Sequence, residues 1–269
     1  VEIEKVMFLN INEESYNKIF SYVLILLNFE KIYENSNDLT AKKFLINTEE
    51  YKKIEKILKN ILNKNISFII ADNGSTDRTE QYSMDLIKEY SNLRYIKLPE
   101  KGVGLALRTS WIESKADYVG YMDLDIATDL KALITVVDEL EKGTKIINGS
   151  RLLKESEVIN RTLLREVTSR GFNFLLKLIL KIKFTDGMCG FKFFDRKVAQ
   201  ELINTGIDTK GWFFSTEMLV KAEWKNIKIK EIPVKWTDDR KSKVKILSLS
   251  SNYLKSIFKL KKEKKEFIK

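Results

Sequence analysis

The stretch that most constrains this chain is Tyr118-Val-Gly-Tyr-Met-Asp123-Leu-Asp125. A short apolar run leads directly into two carboxylates separated by one residue, and a helix-like apolar stretch follows over residues 130–140. A buried strand that presents paired carboxylates at its carboxyl end is a poor way to fill a core. It suits the mouth of an α/β sheet, where such sheets place their ligands. A divalent cation held there would relieve the repulsion between Asp123 and Asp125. The competing reading is a solvated strand end.

Composition narrows the chemistry that such a mouth can perform. The chain has 269 residues, no histidine and a single cysteine, Cys189. Without histidine there is no His-based triad, no His-ligated zinc and no His general base. One cysteine forms neither an intramolecular disulfide nor a metal cluster, and it fits a reducing compartment. What remains is carboxylates, hydroxyls, lysines and arginines, a donor set suited to Mg²⁺ or Mn²⁺. The net charge of +10 suits anionic partners. No signal peptide is evident. The most apolar run, Tyr22-Val-Leu-Ile-Leu-Leu27, is far too short to span a bilayer.

Along the chain, apolar runs predict strands over residues 6–9, 67–71, 93–98, from Tyr118, over 145–148 and over 229–236. Helical spacing predicts helices over 15–29, 49–62, 79–90, 105–114, 130–140, 162–180 and 217–225. The alternation implies an α/β fold, a mostly parallel sheet flanked by helices. Pro233 puts the last strand near an edge. One catalytic domain is expected over 1–245. A basic amphipathic extension is expected over 246–269, with Ile246, Leu249, Tyr253, Ile257 and Leu260 on one face.

Several loops follow predicted strands and carry polar groups. Asp72-Asn73-Gly-Ser75-Thr-Asp77 reads either as an Asx-rich turn capping a helix or as a ligand loop in which Asp72 accepts from a nucleobase N–H. Lys101-Gly102-Val-Gly104, ahead of a helix, is a tight turn or a phosphate cradle. Gly149-Ser-Arg151 offers a guanidinium fork at another strand end, and Arg165 and Arg170 lie on the 162–180 helix. For Arg170 a surface ion pair is the preferred reading, and for Cys189 a packing role. Glu217 is the one carboxylate in an apolar stretch from 211 to 220, a candidate for a tuned or positioning role.

Taken together these residues resemble the glycosyltransferase family 2 enzymes of the GT-A (Rossmann-like) fold, in particular the dolichyl- or polyprenyl-phosphate mannose and glucose synthases. The resemblance runs from about Ile66 to Val244. Asp72 to Asp77 resembles the family's nucleotide loop, Asp123-Leu-Asp125 its DxD metal motif, and Gly149-Ser-Arg151 its post-strand arginine. Arg165 with Ser169 is similar to its acceptor-side Arg-x-x-x-Ser, and Asp186-Gly-Met-Cys-Gly-Phe-Lys192 to its Asp-x-x-Cys-Gly-Phe-Lys loop. Of the family's first strand end only Asn12-Glu13-Glu14 remains, and Ala127 replaces a third metal-site side chain of some members.

The resemblance implies an inverting enzyme that takes a hexose from a UDP- or GDP-sugar. Glu13, Asp72, Asn73, Ser75, Asp77, Lys101, Gly102, Gly104 and Asp123 would contact the nucleotide. Asp123 and Asp125 would hold Mg²⁺ or Mn²⁺, and Arg151 and Arg165 would serve the phosphates. A lipid-phosphate acceptor needs no strong base, whereas a sugar hydroxyl does, and Glu217 is then the candidate. Apolar faces with lysines over 172–182 and in the tail suggest interfacial helices. The expected place is therefore cytoplasmic, peripheral to the cytoplasmic face of an anionic membrane. Two other classes compete, a basic nucleic-acid-binding module and an inactive scaffold. No nucleic-acid partner is expected, because no recognition element is evident.

Overall fold

The computed structural model describes residues 3–9, 66–72, 74, 79–89, 93–122, 127–129, 131–238 and 246–267. The helices expected over 15–29 and 49–62 lie outside these residues, as do Glu13, Asn73, Ser75, Asp77, Asp123 and Asp125.

The strands are β1 (Ile3–Leu9), β2 (Ile66–Asp72), β3 (Leu93–Lys97), β4 (Tyr118–Met122), β5 (Ile146–Ser150), β6 (Glu157–Ile159), β7 (Phe191–Asp195), β8 (Ile229–Pro233) and β9 (Lys235–Thr237). The helices are α1 (Thr79–Glu89), α2 (Val103–Glu113), α3 (Ala132–Glu141), α4 (Leu163–Leu180), α5 (Arg196–Asn204), α6 (Phe213–Trp224) and α7 (Ile246–Phe267). The described strands form a seven-stranded sheet in the order β3-β2-β1-β4-β7-β5-β8, and β6 pairs with β9 beside it. Pro233 ends an edge strand, as its missing N–H requires.

β4 and β5 are buried along their whole lengths, so neither alternates polar with apolar residues. Between them lies β7, antiparallel to both. This strand and α5 had no counterpart in the sequence reading. A Cβ on Gly120 would come within 2.2 Å of the Phe193 ring, so glycine lets the β7 phenylalanine lie across β4. On one face of the sheet Trp111 of α2 is central. Its ring lies 5.2 Å from Phe194, 6.0 Å from Phe214 and 6.4 Å from Tyr121. On the other, Leu133, Val136, Val137 and Leu140 of α3 cluster with Phe191, Phe193 and Ile147.

The tail corrects one expectation. Tyr253, Ile257 and Leu260 of α7 are buried in the Trp111 core. The Tyr253 ring stands 5.3 Å from Phe172 of α4 and 5.7 Å from Phe213 of α6. This part of the apolar face, read as a membrane surface, is spent on the protein interior.

Because β7 opposes both β4 and β5, those two strands point the same way. β1, β2 and β3 run parallel to β4, and β8 runs parallel to β5. All six therefore end at one rim. It carries Asp72, the end of β4, Ser150-Arg151 and the 186–190 turn that leads into β7.

Candidate active site

Asp72 ends β2 fully buried. The Tyr95 hydroxyl donates to its Oδ2 at 2.7 Å, and the Leu98 N–H donates to its carbonyl at 3.0 Å. Burial, then the bond to and charge of Asp72, push the Tyr95 phenol well above its ordinary range, so the hydroxyl remains a donor. Gly74 has a left-handed φ of 72°. A Cβ on it would lie 3.3 Å from Cγ of Lys101, so the Asp72 loop and Lys101 meet at the rim. Tyr95→Phe removes this donor from a buried carboxylate. It should lower stability by about 1–3 kcal/mol, read as a shift of the urea midpoint.

The turn read as a phosphate cradle, Lys101-Gly102-Val-Gly104, packs against residues 209–211. The Gly104 and Leu105 N–H groups, which open α2, both donate to the Lys210 carbonyl, at 2.7 and 3.4 Å. A Cβ on Gly104 would fall 2.2 Å from the Thr209 oxygen, and one on Gly102 2.7 Å from that of Lys210. The glycines admit the 209–211 backbone, and the protein itself takes up those donors.

Arg151, expected to serve the phosphates, pairs with a carboxylate of the protein. Its Nε donates to Oδ2 of Asp186 at 2.7 Å and its Nη2 to Oδ1 at 3.0 Å. The edge of the guanidinium that would grip a phosphate is thus committed to a carboxylate. Burial alone would raise the Asp186 carboxyl, but the charge and hydrogen bonds of Arg151, with the charge of Lys192 added, hold it well below the usual range. Arg151 also stacks on Trp236, 4.8 Å from the ring centroid. The Trp236 indole N–H donates to Oδ1 of Asp238 at 3.0 Å.

Asp238 in turn holds Arg161 at 3.0 Å and Arg165 at 3.4 Å. Glu166 receives Arg161 and Arg170 at 3.2 and 2.5 Å, the ion pair expected for Arg170. This ladder borders an open hollow of about 600 Å³, whose lining includes Arg151, Lys154, Arg161, Thr162 and Arg170. Thr162 caps α4 by accepting from the Arg165 N–H, which fixes where that arginine leaves the helix.

One turn further along, the Ser169 Oγ is buried with no hydrogen-bond partner. Asn173 Nδ2 donates to the Ser169 carbonyl at 3.0 Å, while its Oδ1 accepts from the Gly187 N–H at 2.9 Å. The Thr216 hydroxyl donates to the Gly187 carbonyl at 2.7 Å. So α4, α6 and the 186–190 turn are tied together at the rim. Glu231 of β8 supports the turn from below, accepting from the Thr185 N–H and hydroxyl, both at 2.8 Å. Lys192 is fully buried on β7, donates to the Cys189 carbonyl and stands 5.8 Å from the Tyr121 ring centroid.

Glu217 is buried among protein partners. One oxygen meets Lys221 at 3.0 Å, and the other accepts from the Thr209 hydroxyl at 2.6 Å. Lys221 reaches on to Glu263 of α7 at 3.7 Å. Both carboxylate oxygens are thus engaged by protein groups, which fits an anchor that ties α6 to the 209–211 loop.

The sequence reading gave no role to Asp186, Asp238, Tyr95, Asn173 or Glu231. Asp186 stood in a recognised motif, and its Asp-Gly turn was the available signal. Glu231 opens a segment, Glu231 to Trp236, that also resembles the family, and for Tyr95, Asn173 and Asp238 at least one partner lies far away in the chain, at Asp72, Gly187 and Arg161.

Residues 45–203 match the family described as glycosyl transferase family 2. The chain is 32% identical over 198 residues to glycosyltransferase AglD of Haloferax volcanii, covering 71% of this chain and 31% of that one. It is 31% identical over 258 residues to a dolichyl-phosphate beta-glucosyltransferase of Dictyostelium discoideum, covering 93% and 76%. Glucosyl-3-phosphoglycerate synthase of Mycobacterium tuberculosis, solved with Mn²⁺ and UDP-glucose, has a TM-score of 0.60 to it at 15% identity, covering 97% of this chain and 78% of that one. The last likeness is one of fold. The chain thus spans less than a third of the Haloferax protein's length and about three quarters of the Dictyostelium protein's.

Proposed function

The chain belongs to glycosyltransferase family 2, with the GT-A fold, and from that premise we propose that it transfers a hexose, with inversion, from a nucleotide sugar to a polyprenyl phosphate. The observation that carries the acceptor is the buried, unpartnered Ser169 hydroxyl one turn beyond Arg165, beside the 186–190 turn. A serine donor and a guanidinium on one helix face suit the oxygens of a monophosphate. The name of the Dictyostelium relative supports dolichyl phosphate as acceptor and glucose as the sugar.

Asp72, which Tyr95 holds at the end of β2, would accept from the base of a UDP- or GDP-sugar. Asp123 and Asp125, which follow β4 in sequence, would hold Mg²⁺ or Mn²⁺. Their hard oxygen donors, in a chain without histidine, fit such an ion. Once bound, the ion would offset the charge that develops on the leaving diphosphate. Arg165 and Ser169 would orient the acceptor phosphate. Its oxyanion attacks the anomeric carbon without surrendering a proton, so no general base is required. The engagement of Glu217 by Lys221 and Thr209 supports this.

No helix among the described residues is long and apolar enough to cross a membrane. The lipid acceptor therefore argues for a peripheral place at a membrane surface, on the cytoplasmic face where nucleotide sugars are available.

The test is transfer of radiolabelled glucose from UDP-glucose to a short-chain prenyl phosphate with Mn²⁺, against GDP-mannose and a free sugar acceptor. Glu217→Gln keeps the Thr209 contact and should leave kcat within about threefold, while thermal stability falls because Lys221 loses the nearer of its two carboxylate partners. A kcat loss of about a hundredfold or more with stability unchanged would instead make Glu217 a base and the acceptor a hydroxyl.

A further inference from the structure

Strand β9 and the residue after it join two parts of the rim that lie far apart in sequence. β6 pairs with β9 on one side. On the other runs the 127–129 segment, which follows Asp125 closely in the chain. There the Thr237 N–H donates to the Ala127 carbonyl and the Asp129 N–H to the Lys235 carbonyl, each at 2.8 Å, and Thr128 bridges to Trp236. Trp236 is thus flanked by both segments, with Arg151 stacked on its ring.

Asp238 leaves this patch toward α4 and is buried, only 8% exposed. Its N–H donates to the Ile159 carbonyl at 3.0 Å, which sets its side chain beside Arg161. Its Oδ2 accepts from Nε of Arg161 at 3.0 Å, and its Oδ1 accepts from the Trp236 indole at 3.0 Å. The carboxylate is therefore held from two directions, and it offers Nη1 of Arg165 a fixed contact at 3.4 Å. Thr162 fixes the root of that arginine by capping its backbone N–H, and Asp238 fixes its tip. An arginine ordered at both ends costs a ligand less entropy to engage than one that samples many rotamers.

Charge and exposure say which arginine has the ligand. Arg161, Arg165 and Arg170 face Asp238 and Glu166, so these five groups carry one positive charge in excess. Arg161 is buried between the two carboxylates. Of the two arginines on Asp238, Arg165 is the one whose side chain still meets solvent, at 23%.

We infer that Asp238 is a positioning residue for transfer. It aims the Arg165 guanidinium at the acceptor phosphate, and β9, which carries it, sets that aim relative to the chain leaving Asp125. This rests on the reading of Arg165 as a ligand of the acceptor phosphate and adds the group that directs it. A carboxylate that merely stapled β9 to α4 would change stability and affect both substrates alike.

The experiment compares wild type, Asp238→Asn, Arg165→Ala and the double variant below their melting temperatures, with UDP-glucose, Mn²⁺ and a water-soluble short-chain prenyl phosphate. Asp238→Asn should raise the KM for the prenyl phosphate about tenfold while kcat stays within about threefold. The KM for UDP-glucose, and calorimetric binding of UDP with Mn²⁺, should not change. In the Arg165→Ala background the same substitution should add less than about twofold, because its effect runs through that guanidinium. Calorimetric binding of the prenyl phosphate in the presence of UDP and Mn²⁺ should show the same pattern. An equal rise in both KM values, or effects of the two substitutions that multiply, overturns the inference. So does an Asp238→Asn protein that binds the prenyl phosphate as well as wild type or more tightly, the latter meaning that the carboxylate competes with the phosphate. These outcomes leave the acceptor standing. Wild type that binds UDP but neither binds nor glycosylates the prenyl phosphate removes the acceptor, and the role of Asp238 with it.

Discussion

Replacing Asp186 by alanine is expected to destabilise the protein by about 3–5 kcal/mol and to abolish transfer. The carboxylate is fully buried and accepts four bonds, from the Arg151 N–H, Nε and Nη2 and from the Met188 N–H. Alanine would leave the Arg151 guanidinium, whose side chain is only 9% exposed, without its counter-charge. It would also release the turn whose Gly187 holds Asn173 of α4 and Thr216 of α6. Such a loss is a large share of the roughly 5–15 kcal/mol that keeps a domain folded, so urea unfolding should resolve it clearly. Asp186→Asn, which keeps the shape and drops the charge, should fall between alanine and wild type.

The pH dependence isolates the cause. The Asp186 carboxyl is held below its ordinary value, so its stabilisation is complete above a pH of about 4 and is lost as pH falls from there toward the depressed folded value. The gap in stability between wild type and Asp186→Asn should therefore be flat between about pH 6 and pH 8 and close only on strong acidification. A gap that changes across the neutral range would show that something other than the Arg151 pair sets it.

The pieces of this arrangement that could be read from the sequence are those encoded over short distances. A buried run ending in polar residues announced β2, β4 and β5 and put Asp72 and Arg151 at strand ends. Helical spacing announced α4 and the apolar face of α7. What such spacing does not encode is the partner. The face of Tyr253, Ile257 and Leu260 looks the same whether it meets lipid or Phe172, and it meets Phe172. On α4 apolar residues occur around most of the helix, so its outward face could be told from its inward one only once Asn173 and Leu176 were seen buried. β7 escaped because Phe191-Lys-Phe-Phe-Asp195 is short and carries a lysine, and because its pairing with β4 joins segments far apart in the chain. The pairing of Arg151 with Asp186 could not be read because the two lie 35 residues apart. The packing of Gly102 and Gly104 against the backbone of residues 209–211 was hidden for the same reason.

Asp125→Ala is expected to reduce transfer by a factor on the order of a thousand or more, while leaving the protein at least as stable as wild type. The two halves of that outcome belong together. If Asp123 and Asp125 exist to hold a cation, their closeness is a cost to the empty protein, and removing one should relieve repulsion and hold or raise the melting temperature. A structural carboxylate behaves in the opposite way, as Asp186 should. Calorimetric titration with UDP gives a readout independent of turnover. Wild type should bind the nucleotide more tightly with Mn²⁺ than with EDTA, and Asp125→Ala should lose that increment while keeping the metal-free affinity supplied by Asp72 and its loop. Asp123→Ala should lose part of both if it also contacts the nucleotide. Transfer that survives Asp125→Ala would remove the cation from the reaction, and the charge of the departing diphosphate would then fall to Lys101 and its neighbours. An Asp125→Ala protein that melts well below wild type would place the aspartate in the fold instead, and the strand end from which this reading began would be a turn.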